Sequence, residues 1–197
     1  MPDQQPPAYS HEQVYEALER ELASRTEWDQ APAVGQLLTT ATGVELRPFP
    51  VPRFIWALGQ VAAGVDALTG ALRMPAHLLP ASSGLADALH RQIDPKAFAI
   101  YLTTEAWAAP SDVDAEIIRR AQAGGSIPSL ASRPDRIEIR TANAVLLDPT
   151  ATYLATEHAR PHPDRFERYD ETRGTLAAAL TRFAAQVATR TRSSGGQ

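Results

Sequence analysis

Between Arg136 and Arg140 arginine and glutamate alternate with Ile137 and Ile139. A period of two marks a strand with one apolar and one wet face. From Ala144 to Leu147 the residues are apolar without interruption, which predicts cover on both faces at that end. Asp148 and Pro149 then stop the run, because Asp bonds its own backbone in turns and Pro fixes φ at a turn's second position. Thr152, Tyr153, Leu154 and Thr156 resume with residues suited to a pleated surface, so Arg136 to Arg160 reads as a hairpin. Pairing Asp148 with Ala151 sets Val145 opposite Leu154 and Thr141 opposite His158. A bulge at the turn shifts that register by one and carries His158 to the other face. A third strand, Ala97 to Trp107, is placed beside the hairpin. It puts Phe98, Ile100 and Leu102 on one face and Tyr101, Thr103, Glu105 and Trp107 on the other.

Elsewhere the apolar residues recur at helical spacing. Ser10 and Gln13 have the form of a capping box, followed by Val14, Leu18 and Leu22, which predicts a helix over 11–24. Asp29 precedes a second helical pattern with Pro32 in its first turn, Val34, Leu37, Leu38 and Ala41 on one side, and Gly43 past its end. Three prolines make Val44 to Pro52 an edge strand or a connector, since proline cannot donate to a ladder. An apolar helix is expected from about Arg53 to Leu72, its Gly59, Gly64 and Gly70 read as close helix packing, and another near 84–93. Pro110 and Ser111 open a helix that Gly124 and Gly125 end. Residues 124–135 then read as loop, and RPHPDRFERYDETRG after the hairpin as loop or a frayed turn. Leu176, Leu180, Phe183 and Val187 mark the last helix.

This predicts an α+β fold with an antiparallel sheet of three to four strands and helices packed against it. A helical part over 10–93 precedes a β-α-β-β-α part over 97–190 in a single domain, with residues 1–9 and 191–197 as flexible tails. A chain of 197 residues is of ordinary size for one domain. Two helices cover one sheet face and the N-terminal helices cap the other.

Composition then narrows the function. The net charge of −4 argues against a general nucleic-acid binder, which needs a basic patch to neutralise phosphates. With no cysteine there is no disulfide frame, thiolate metal site or cysteine nucleophile. Lys96 stands alone against eighteen arginines, the usage of a GC-rich bacterial or phage genome. The N-terminal MPDQQPPAYS lacks the basic and apolar regions of a secretory signal, which predicts a cytoplasmic protein. The apolar stretch inside Arg53 to Arg73 approaches membrane-spanning length, but Gln60 and Asp66 lie well within it and favour a buried helix in a soluble core.

Candidate chemistry is sparse. His158 and His162 have a metal-site spacing that works on a helix, which Pro161 and Pro163 exclude, so no metal is expected. Pro134-Asp135 with Glu138 invites comparison with the PD…ExK nucleases. That comparison fails because residues three apart in a strand face opposite ways and Arg140 replaces the lysine. Glycine-rich phosphate loops and GxSxG elbows are missing, and no cofactor is expected. A catalytic reading rests on Glu105 and Glu138 as a carboxylate pair on adjoining strands, with His158 beside them in a cleft. Against it, the arginines alternating with Glu138 favour cross-strand ion pairs. A binding reading rests on Trp107, Arg136, Glu138, Arg140, Glu157 and Arg160 sharing the wet part of the sheet, a mixture that suits a protein partner or self-association. Trp28 and Trp56 are assigned to the core. The expected function is a non-enzymatic binding or assembly protein, with a hydrolase-like enzyme as the alternative.

Overall fold

The computed structural model describes residues 9–57, 60–73, 84–108, 119, 134–170 and 174–194. Its centre is one antiparallel sheet of six strands in the order β2-β1-β3-β4-β5-β6. The strands are β1 (Ala33–Thr40), β2 (Gly43–Pro48), β3 (Ala99–Ala108), β4 (Ile137–Leu146), β5 (Tyr153–Ala159) and β6 (Glu167–Tyr169). Helix α1 (His11–Ser24) lies across one face, where Val14, Leu18 and Leu22 pack on Leu37, Tyr101, Ala144 and Leu154. Helices α2 (Val61–Arg73), α3 (Gly84–Gln92) and α4 (Gly174–Ser194) cover the other, around Leu68, Leu72, Leu89, Ile100, Val145 and Phe183. The α+β class and antiparallel sheet are as expected. The sheet is larger than three or four strands, because two segments expected to be helix or loop are strands.

The first of these is β1. Val34, Leu37, Leu38 and Ala41 have helical spacing, yet Val34 through Leu38 are all buried. A strand covered on both faces shows no alternation, and a short apolar run of this kind matches either template. Pro32 stands just before the strand, and Gly43, at φ +126°, closes the turn into β2, which is the expected edge strand. Gly35 is required by close approach: a Cβ there would lie 2.3 Å from the Arg47 carbonyl oxygen and 2.7 Å from the Pro48 Cα. The buried Gln36 donates to the Gln92 carbonyl at 2.6 Å and accepts from the Asp94 N–H at 2.9 Å, fastening the end of α3 to the sheet.

The second is β6, three exposed residues paired with β5. Its hold on α1 is electrostatic, with Arg168 reaching Glu19 at 2.6 Å and Glu12 at 2.9 Å. Tyr15 adds a hydrogen bond to the Tyr169 carbonyl at 2.9 Å.

At the hairpin, Asp148 bonds the backbone N–H of Thr150 and Ala151, and Ala151 takes the left-handed φ of 48°. A turn followed by a left-handed residue adds one position to the loop. Val145 therefore pairs with Tyr153 and Arg140 with His158, the bulged alternative and not the tight pairing. Phe98 precedes β3 and stacks on Tyr9 on the α1 side, away from Ile100 and Leu102.

The capping box is formed, with Ser10 and Gln13 exchanging bonds of 2.8 and 3.2 Å. The apolar stretch after Arg53 divides into a short 3-10 turn (Arg53–Ile55) and α2. Asp66 faces out and forms a forked ion pair with Arg182 of α4 at 2.8 Å. Gly64 admits Trp56, 2.7 Å from where a Cβ would stand, whereas Gly70 meets nothing within 4 Å. Among the described residues no helix is long and apolar enough to cross a membrane. The helix expected after Pro110, the loop over 124–135 and Gly59 lie outside the described residues, Arg119, Pro134 and Asp135 excepted.

Candidate functional site

The register brings the singled-out residues to one end of the sheet's α1 face. Glu105 pairs with Arg140 and Trp107 with Glu138 across β3 and β4, and Arg140 pairs with His158 across β4 and β5. Directly paired residues share a face, as do residues two apart in a strand. Glu105, Trp107, Glu138, Arg140 and His158 therefore lie on one side, while Glu157, opposite Thr141, points to the other.

Arg140 is not part of an open patch. It is 1% exposed, and its guanidinium donates to the carbonyl oxygens of Arg25 and Glu27 and to the Glu105 carboxylate at 2.7 Å. These carbonyls belong to the loop leaving α1, and the centre of the Trp28 ring lies 4.4 Å from Cζ of Arg140. The arginine's fork of donors suits this task, because each of its three nitrogens donates to a fixed oxygen and the flat group lies over the indole. Arg140 thus staples the loop to the sheet. Trp28, assigned to the core by sequence, is half-buried at the surface. No periodicity marks it, and a tryptophan just past a helix end is the only signal the sequence carries. Trp56 is also half-buried, packed on the core of the other face.

Around this staple is a surface. Arg136 stacks on Trp107 at 4.0 Å, Arg160 pairs with Glu138 and reaches the Trp28 ring at 5.4 Å. Arg136 and Arg160 are exposed and Trp107 half-buried. A depression of about 670 Å³ is lined by Trp107, Pro134, Arg136, Glu138, Arg160 and Pro161. A smaller one, of about 200 Å³, is lined by Trp28, Asp29, Glu105, Ala106, Trp107 and Glu138.

The catalytic trio is brought together only in part. Glu105 and Glu138 line the same small cavity, but each is held by an arginine, and Glu105 also accepts from the Asp29 N–H at 2.7 Å. His158 is 5% exposed, its ring set edge-on to Phe166 and Trp28. Both ring nitrogens are shut off from solvent, and among the described residues His158 does not line the small cavity that Glu105 and Glu138 share. Burial, and then the Arg140 guanidinium, push the His158 imidazole below its ordinary value, while the adjacent Ala159 backbone works the other way. The unfolded chain therefore takes up this proton first, and stability falls as pH drops below about 6.5. A His158→Leu variant is expected to lose less melting temperature between pH 7 and pH 5 than the wild type; equal losses would remove His158 from the account. His162 is exposed, and no group of three metal-ligating side chains exists among the described residues.

No family model, curated protein or solved structure matches the chain.

Proposed function

We propose that the chain is a non-enzymatic binding or assembly protein, in keeping with its arginine-rich bacterial or phage-like composition. It engages a second protein, or another copy of itself, through the Trp107 end of the sheet. The observation that carries this reading is the stacked Arg136–Trp107 pair beside the exposed Glu138–Arg160 pair, around an open depression. Tryptophan and arginine are enriched where interfaces concentrate their binding energy, and a flat rigid ring rimmed by paired charges suits partner recognition. Of the binding residues singled out by sequence, Trp107, Arg136, Glu138 and Arg160 form this surface and Arg140 supports it from beneath.

Trp107→Ala is expected to weaken partner binding by about 30-fold or more, the scale of a hot-spot truncation of about 2 kcal/mol. Because Trp107 is half-exposed, the melting temperature should change little. Titration of the purified partner against both proteins by calorimetry measures the first, and a thermal scan the second. Unchanged affinity would sink the reading.

A further inference from the structure

The smaller cavity differs in kind from the surface beside it. Among the described residues its wall is made of two indoles, Trp28 and Trp107, three carboxylate residues, Asp29, Glu105 and Glu138, and Ala106. Arg136, Arg140 and Arg160 each stack on one of these tryptophans, yet none of them lines the cavity among the described residues. Glu105 is committed inward, one oxygen to Arg140 and the other to the Asp29 N–H. Arg160 takes the Oε2 oxygen of Glu138, and the Asp29 carboxylate stands on an exposed residue. Aromatic faces attract cations through the ring quadrupole, and carboxylates at the rim add charge and directional acceptors.

We propose that this cavity is a receptor for one arginine side chain of a partner protein, its guanidinium stacked against the indoles and its N–H groups turned to Asp29 and Glu138. The inference rests on the binding reading above and names the chemistry it recognises. A volume of about 200 Å³ suits a single side chain and falls below the roughly 300–1,000 Å³ of sites for larger ligands. Arginine fits better than lysine because its planar group both stacks and forks to carboxylates. The three arginines already on these rings show that the chain uses the same contact internally.

The test is an NMR titration of the full chain with Nα-acetyl-arginine methylamide, and with its neutral citrulline analogue at matched ionic strength. The chain has three tryptophans, so three indole N–H resonances report the site. The arginine compound should shift those of Trp28 and Trp107 saturably and leave Trp56 unmoved, and the citrulline compound should have little effect. Trp107→Leu should weaken binding by about 2- to 30-fold, the range for a cation on an aromatic face, and Glu138→Gln by about 1.5- to 5-fold, the range for an exposed ion pair. No saturable shift, equal shifts with citrulline, or shifts centred on Trp56 would overturn the proposal. If the arginine compound fails while a protein partner is still lost on Trp107→Ala, the surface reading stands and this inference falls. If the compound binds but no protein partner depends on Trp107, the cavity takes arginine while the wider surface reading fails.

Discussion

Replacing Arg140 with methionine is expected to destabilise the protein by about 3–5 kcal/mol, the cost of removing one member of a buried ion pair. The physical reason is what the guanidinium leaves behind: the Glu105 carboxylate and the carbonyls of Arg25 and Glu27, all three of which it now satisfies. Methionine fills much of the volume but donates nothing. Adding Glu105→Gln to the same chain should recover part of the loss, because the stranded charge is then gone. Denaturant midpoints of the two single variants and the double variant give the coupling. If Arg140→Met costs under 1 kcal/mol, the arginine is not the staple described above.

Truncating Leu22 to alanine should cost about 2–5 kcal/mol, as for a fully enclosed leucine whose cavity cannot collapse. Leu22 is the last buried residue of α1, fully enclosed on its sheet face. The loop bearing Trp28 begins just beyond it, with the Arg25 N–H bonded to the Leu22 carbonyl at 3.2 Å. The same variant should broaden the Trp28 indole resonance while leaving that of Trp56 sharp. Equal effects on both would mean that α1 supports the whole fold and not this loop in particular.

Much of this architecture is written in the sequence where one face of an element is wet. α1 announces itself through its capping box and fourfold spacing, α4 through Leu176 to Val187, and β4 through alternation at its wet end, while β3, buried on both faces from Ala99 to Thr104, is marked by its aromatic and β-branched residues. β1 is obscured because α1 covers one of its faces and α2–α4 the other, so its buried run carries no period. β6 is obscured because its three side chains are exposed and its hold on α1 depends on partners more than a hundred residues away. The hairpin register turns on Ala151 adopting a left-handed backbone without a glycine to signal it.

The site shows the same division. Trp107, Glu105, Glu138 and Arg140 are legible as neighbours because strand alternation puts them on one face once the strands adjoin. That Arg140 lies buried under Trp28 is not legible, since it depends on where the loop after α1 lands. Alternation marks the α1 face of β4 as wet, and so it is at Glu138, but the loop roofs it over at Arg140.

The most direct measurement is quantitative affinity capture of the tagged protein from its native host, in parallel for wild type, Trp107→Ala with Arg160→Glu, and Arg182→Glu on the opposite face. The account predicts a stoichiometric partner, or a second copy of the chain, recovered by wild type and by Arg182→Glu and lost from the Trp107 and Arg160 variant. A partner retained by that variant, or no stoichiometric partner with a monomeric chain by light scattering, would contradict it.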